Sequence, residues 1–491
     1  MAADSTTIVI FGASGDLSKR KLVPALFALY KQGRLPRESH ILGFARTAMS
    51  DGEYRAAMRE AVQEFSKEPV RSDDWERFAS HLYFERGDLT AWADVTRLRQ
   101  RLEELERGAE TANRLYYLSI FPQLYQDAVR QLGAHDMARQ ETGWRRVVIE
   151  KPFGWDLASA QELEATLHAV FPEEAIYRID HFLGKDTVQN ILVFRFANAI
   201  FEPIWNQHYI DSVQITVAED MDVQERGAFY DKTGVIRDMV QNHLLQVLTL
   251  VAMEPPSMYD PDSVRNMKID VLKAVRRWSP KETARFALAG QYEGYRLHPG
   301  VSSDSRTATF AALKLYIDNW RWSGVPFYLR TGKALSSKAS EVAVRFKCPP
   351  HLMFNVRSEQ GMASNNLTLC LSPHEGMHMQ IEAKVPGQEM TMRTVDMTFH
   401  YTDMLRGGAL PDAYEYLLLD ALEGDPTLFM RIDQVQEAWK IVAPVLESWE
   451  GAAPPPLHVY PRGSWGPPEA EHFLGQDGAW RMFCGRGGSS D

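Results

Sequence analysis

Cysteine is nearly absent from this chain. Cys348, Cys370 and Cys484 are the whole supply in 491 residues, and none stand at CxxC spacing. Neither a disulfide framework nor a structural zinc site is indicated, and such sparing use suits a reducing cytoplasm. Long hydrophobic runs are missing as well. The longest strongly apolar run, Leu244–Met253, is far too short to cross a bilayer. Met1-Ala2-Ala3-Asp4-Ser5 shows no basic stretch leading into an apolar one, so no secretory leader is expected and the cytoplasm is the expected location. Basic residues are in deficit, 54 against 65 acidic, for a formal charge of −11. That balance argues against nucleic acid as the main partner, and it makes any local cluster of Lys and Arg more telling. No internal repeat is visible.

The rest is ordinary for a soluble globular protein: 45% hydrophobic and 24% charged residues, with length enough for two domains. Through residue 180, short apolar runs alternate with amphipathic stretches. Strands are predicted at Thr6–Phe11, His40–Ala45, His81–Glu85, Arg114–Ile120, Arg146–Glu150 and Ala175–Ile179. Helices are predicted between them, at Lys19–Gln32, Gly52–Ser66, Ala91–Arg107, Pro122–Leu132 and Ser159–Val170. This alternation predicts an α/β, doubly wound parallel sheet. Beyond it the pattern changes. Long helices are expected over Thr187–Trp205 and Gly234–Met253, with a strand at Ser212–Ala218 between them. Period-2 segments at Glu341–Phe346, Leu367–Leu371, His378–Val385 and Met390–His400 read as antiparallel strands with one solvated face. Helices at Asp412–Leu422 and Gln434–Ser448, a Pro-rich linker at Gly451–Pro456 and a polar tail at Gly485–Asp491 complete the chain.

The first strand runs through Gly12-Ala13-Ser14-Gly15-Asp16-Leu17 into Lys19-Arg20-Lys21. A strand, a glycine turn and a helix start present free N–H groups to a pyrophosphate. Ser14 and Leu17 stand where a strict G-x-G-x-x-G would place glycines, so context carries this reading more than pattern does. Three cations in a first helical turn oppose the macrodipole, and a bound anion would relieve them; the plainer reading is that they extend into water. Arg46, just past the second strand, suits the 2′-phosphate of NADP where an acid would suit NAD. Glu150-Lys151-Pro152-Phe153-Gly154 closes the fifth strand at the ligand-binding edge of such a sheet. Its Lys-Pro bond reads either as a cis bond held for geometry or as a trans-proline ending the strand, the second being commoner.

Arg178-Ile179-Asp180-His181-Phe182-Leu183-Gly184-Lys185 concentrates four charged or titratable types after the sixth strand. Were the segment helical, His181 and Lys185 would share a face, where two cations call for an anion between them. Asp180 is placed to orient an imidazole. In the second long helix a 3.6-residue period aligns Asp238, Asn242 and Gln246, while His243 falls on the apolar row of Met239, Val247 and Leu250. A lone histidine on such a row is usually a satisfied core residue, yet a half-buried imidazole also suits general-base work. Arg330-Thr331-Gly332-Lys333-Ala334-Leu335-Ser336-Ser337-Lys338 carries three cations and no acid. It is either a solvated loop or a site for an anionic substrate.

In order from residue 8 to about 467, these elements and a closing Gly463-Ser464-Trp465-Gly466-Pro467 resemble the glucose-6-phosphate dehydrogenases. The resemblance implies an N-terminal Rossmann-like NADP-binding domain, residues 1–177. It further implies an α+β domain on a large antiparallel sheet, residues 178–484, through which the enzyme is a homodimer or homotetramer. By position it makes His243 the general base and Asp180 the carboxylate that orients it. His181 and Lys185 become ligands of the sugar phosphate. Lys151 falls between substrate and cofactor, while Glu219, Asp238, Lys333 and Lys338 become further substrate contacts. Gly12, Ala13, Ser14, Gly15, Asp16, Leu17 and Arg46 would hold NADP, with NAD as the weaker alternative. Phe182 stands where many relatives carry Tyr.

The implied reaction is hydride transfer from C1 of β-D-glucose 6-phosphate to NADP⁺, without a metal. The rivals are a dehydrogenase of another aldose 6-phosphate and a catalytically silent NADP-binding sensor. The presence of Asp180, His181, Lys185 and His243 weighs against the sensor.

Overall fold

The structure, a computed structural model, describes residues 4–351, 364–387, 391–405, 410–475 and 478–484. Met390 and the tail Gly485–Asp491 lie outside them. The chain divides into two compact units. One comprises Met1–Gly184, Met258–Arg265 and Pro411–Gln436, the other Lys185–Ser257, Asn266–Leu410 and Glu437–Asp491.

The first unit is built on a parallel sheet of β1 (Ser5–Phe11), β2 (Glu38–Ala45), β3 (Leu82–Arg86), β4 (Ala112–Leu118), β5 (Arg145–Glu150) and β6 (Ile176–Ile179). Their order is β3-β2-β1-β4-β5-β6, so the winding reverses between β1 and β4. That reversal is the place where a doubly wound sheet opens a ligand crevice. Every residue of β1 is buried, which explains why its sequence is a continuous apolar run and not an alternation. Helix starts follow local chemistry. Ser50 and Glu53 form a capping box before the helix Asp51–Phe65, as Asp156 and Ser159 do before Leu157–His168. A helix at Ser72–Ala79, unmarked in the sequence reading, buries Trp75 and Phe78 against Phe27.

The helix Ala413–Glu423 belongs to this unit although it lies far along the chain. Its Tyr414, Leu417, Leu418 and Ala421 share one core with Leu22, Leu26 and Leu29. Arg146 of β5 donates to the carbonyls of Ala421 and Leu422 at its end, at 2.9 and 2.6 Å.

The second unit carries a nine-stranded sheet among the described residues: β7 (Ile210–Ala218), β8 (Ala287–Tyr292), β9 (Phe310–Tyr316), β10 (Pro326–Gly332), β11 (Ala339–Phe346), β12 (Asn366–Ser372), β13 (Gly376–Lys384), β14 (Met392–His400) and β15 (Leu457–Tyr460). The order is β14-β13-β12-β11-β7-β10-β9-β8-β15. Most neighbours are antiparallel, as expected, but β7 pairs with β10 and β8 with β15 in parallel, so the sheet is mixed. Both parallel partners are far apart in sequence, with connections long enough for a crossover.

The helix expected to reach Trp205 spans only Asp186–Phe196, and a short 3₁₀ turn follows at Glu202–Ile204. The Asn198 side chain donates to the carbonyl of Phe194 at 3.0 Å, satisfying the helix end.

The cysteine reading needs correcting. Cys370 of β12 and Cys484 are joined by a disulfide, with their Cα atoms 5.7 Å apart. A separation of 114 residues conceals this pairing from any spacing argument. The C-terminal segment is also fixed by its backbone: the N–H groups of Phe483 and Cys484 donate to the Glu341 carboxylate, and that of Arg481 to Gln214. Arg330 lies over the rings of Trp465 and Trp480, 5.6 and 4.4 Å from their centroids. Among the described residues no helix is long and apolar enough to cross a membrane.

Candidate active site

At the switch point of the first unit, Gly12 ends β1 with φ 77°, and a Cβ there would fall on the carbonyl oxygen of Ser119. Only glycine fits, on both counts. The Gly12 N–H donates to Phe44 at 2.9 Å and Gly15 donates back to Gly12 at 2.9 Å, closing the turn. The Ser14 hydroxyl reaches that of Thr47 at 2.9 Å, tying the turn to the end of β2. Ala13 is buried, whereas Asp16 is exposed. The chain then becomes helical, with a π-helical segment at Ser18–Leu22 running into Val23–Lys31. First-turn N–H groups of such a helix lack intrahelical acceptors, which fits a pyrophosphate.

Two of the three first-turn cations, Arg20 and Lys21, have acidic partners. Arg20 lies 3.6 Å from Asp16 and over the ring of Phe65, and Lys21 pairs with Asp412 at 2.8 Å. These two are therefore engaged within the protein. Arg46 is exposed just past β2, close enough to Asp88 to help hold that carboxyl below its ordinary range, behind the hydrogen bonds from Thr90.

At the end of β5, the Lys151–Pro152 bond is cis. Glu150 beside it accepts from the hydroxyls of Tyr117 (2.6 Å) and Tyr414 (3.1 Å). Burial pushes its carboxyl up to about 6, and the charge of Asp180 pushes the same way. Sequence reasoning passed over Glu150. Nothing in a strand-ending acid announces two tyrosines, one of them arriving from residue 414.

Asp180 follows β6, fully buried, and accepts from the Phe182 N–H at 3.0 Å. The 181–184 stretch is a turn, closed by Leu183 N–H to Asp180 O at 3.0 Å, and Lys185 is the extended N-cap of the helix Asp186–Phe196. The segment is therefore not helical, so the condition under which His181 and Lys185 would share a helix face is not met. A side chain on Gly184 would press on the carbonyl of Ala413. His181 is half-buried against the edge of Phe182. Arg178, first of the charged run, has a structural task. It is fully buried and grips Glu164 and Glu173 through paired guanidinium bonds of 2.5–2.9 Å.

In the second unit, sheet topology gathers three candidates. Gly332 and Ala339 flank Ala218 on its two sides in the β10/β7 and β11/β7 registers. Glu219, Lys333 and Lys338 therefore leave the sheet at one end. Lys333 Nζ lies 2.5 Å from Glu219 and 3.2 Å from Asp238, with its ammonium over the ring of Tyr230. Burial opposes the charge of Lys333, but the Asp238 and Glu219 carboxylates outweigh it and raise its pKa. Lys338 is exposed. Tyr230, unremarked in the sequence, is buried under this cluster, and burial with the two acids raises its pKa well above normal.

Asp238 and His243 lie on a π-helical segment, Ile236–Leu244. In an α-helix, residues five apart point about 140° away from each other. The i→i+5 closure of a π-helix brings them toward one face. The 3.6-residue projection thus put Asp238 and His243 on different rows for a geometric reason that the fold removes. His243 is buried, as are Asn242 and Gln246.

A doubly wound sheet with a glycine turn at its switch point, joined in one chain to a part-buried lysine–carboxylate cluster, defines a nicotinamide-dinucleotide-dependent oxidoreductase. Residues 9–190 match the NAD binding domain of glucose-6-phosphate dehydrogenase and residues 192–481 match its C-terminal domain. The chain belongs to the glucose-6-phosphate dehydrogenase family. It is 43% identical to the glucose-6-phosphate 1-dehydrogenase of Aggregatibacter actinomycetemcomitans, over 99% of each chain. It is 42% identical to that of Chlamydia pneumoniae, over 96% of this chain and 95% of the relative. A solved glucose-6-phosphate dehydrogenase in complex with glucose 6-phosphate superposes with a TM-score of 0.89 at 36% identity, covering 98% of this chain and 99% of its own. The Mycobacterium avium enzyme gives 0.82, also at 36% identity, over 97% and 99%.

Proposed function

We propose that this protein oxidises β-D-glucose 6-phosphate at C1 to 6-phosphogluconolactone with NADP⁺, the entry reaction of the oxidative pentose phosphate route. The observation that carries the activity is the match of both halves of the family over nearly the whole chain, at 43% identity to a glucose-6-phosphate 1-dehydrogenase. NADP rather than NAD is our reading of Arg46, a cation where a 2′-phosphate would lie.

The bound dinucleotide supplies the hydride acceptor. The turn Gly12, Ala13, Ser14, Gly15, Asp16 and Leu17 holds its pyrophosphate. His243 takes the proton of the C1 hydroxyl as the C1–H bond breaks, and Asp180 orients the imidazole. His181 and Lys185 bind the sugar phosphate, remote binding that positions C1. Lys151 lies between sugar and dinucleotide. Glu219 and Asp238 accept from sugar hydroxyls, with Lys333 and Lys338 as further contacts. Residues 1–177 form the dinucleotide domain and 178–484 the substrate domain, and the enzyme acts as a homo-oligomer.

The test is absorbance at the reduced-nicotinamide band with glucose 6-phosphate and either NADP⁺ or NAD⁺. No reduction with either dinucleotide ends the reading, and a preference for NAD⁺ ends its NADP part.

A further inference from the structure

The second unit contains a cavity of about 250 Å³ that none of the residues assigned above line. It opens where the two helical runs around Gly234 part. Gly234, at φ 65° and ψ 170°, interrupts the helix, and the run bearing Asp238 and His243 starts anew after it. The Val235 N–H is taken by the carbonyl of Ala308 at 3.0 Å. Gly234 to Arg237, at the start of that run, line the cavity.

Three cations line the space: Lys232, Arg237 and Arg306. Two carboxylates share it. Asp231 is engaged within the protein, its oxygens accepting from Tyr295, Ser305 and Ser302. Glu450 meets both terminal guanidinium nitrogens of Arg237, and it is 54% exposed where Arg237 is 14% exposed. An arginine fork held by a loosely covered carboxylate is the shape a phosphate would occupy. Opposite stand Leu446 and Trp449, an apolar wall whose buried indole N–H has no acceptor among the described residues.

We propose that this cavity binds a small organic phosphate ester, its phosphate on Arg237 and Arg306 in place of the Glu450 carboxylate and its body against Leu446 and Trp449. The volume lies under the ~300–1,000 Å³ of drug-sized pockets, so the ligand is small. Because no lining residue takes part in the proposed reaction, failure here and failure there are separable.

The test is calorimetric titration of the full chain with phenyl phosphate, run beside inorganic phosphate. Binding should survive Lys185→Ala, weaken about tenfold or more in Arg306→Ala, and tighten in Glu450→Gln, which removes the carboxylate charge competing with the phosphate. In ¹⁵N spectra, the indole N–H resonance missing from Trp449→Phe should shift as ligand is added. Absence of binding overturns the proposal. So does binding lost in Lys185→Ala but unchanged in Arg306→Ala, which assigns the phosphate to the candidate substrate site. If Arg306→Ala fails to fold, Trp449→Phe and Glu450→Gln decide it, and affinities unchanged in both overturn it.

Discussion

Lys333 Nζ stands 3.2 Å from the carboxylate of Asp238, joining the turn after β10 to the π-helical segment that also carries His243. With Glu219 at 2.5 Å, one ammonium compensates two acids. Lys333→Met removes that compensation and keeps the side-chain bulk. The expected result is a KM for glucose 6-phosphate raised about 10²-fold and a stability loss of about 1–3 kcal/mol from the stranded acids. Steady-state kinetics with thermal melts checks both. An unchanged KM would remove Lys333 from the substrate contacts.

His243→Asn keeps a polar group of similar size and loses the base. Turnover should fall ~10²–10⁴-fold with little change in KM. A kcat equal to that of the parent would pass the general-base role to another residue.

Arg46→Ala should weaken NADP⁺ about 10–100-fold and leave NAD⁺ nearly unchanged, because only the former carries the phosphate that the guanidinium would meet. The ratio of kcat/KM for the two dinucleotides reads this directly. Equal losses would mean that Arg46 does not face the 2′-phosphate.

Glu150 sets a pH-dependent stability term. Its carboxyl is raised from 4.5 to about 6, chiefly by burial, so the folded form keeps its proton to higher pH than the unfolded chain does. Stability from this group is therefore present below pH 4.5 and lost as pH climbs through about 6. Glu150→Gln should melt with the parent at pH 4.5 and above it at pH 7, by on the order of 1–2 kcal/mol for this partly covered side chain. A gap that stayed constant across this range would contradict the assignment.

The six strands of the first unit were legible within about two residues, since each is an apolar run bounded by turn chemistry. In the second unit β8 and β9 escaped notice, and β10 was read only as a strand-like run leading into the Arg330 loop. They are buried on nearly all positions and so lack the alternation by which β11 to β14 were found. The candidate residues could be named from the chain, but not their surroundings. A π-helical segment shifts which residues share a face, so a 3.6-residue projection separates Asp238 from His243. Arg178 looked like part of a functional cluster because Glu164 and Glu173, which absorb its charge, lie outside the local motif. Tyr414 and Glu150, or Cys370 and Cys484, meet across separations on which local patterning has no purchase.

The helix Ala413–Glu423 packs on Val23–Lys31 within the first unit. A ribosome therefore finishes all six strands of the parallel sheet well before it makes the segment that covers Leu22, Leu26 and Leu29. During that interval the growing polypeptide exposes an apolar groove that only its own later residues can fill. Any fragment cut at residue 184 would inherit the same open groove permanently.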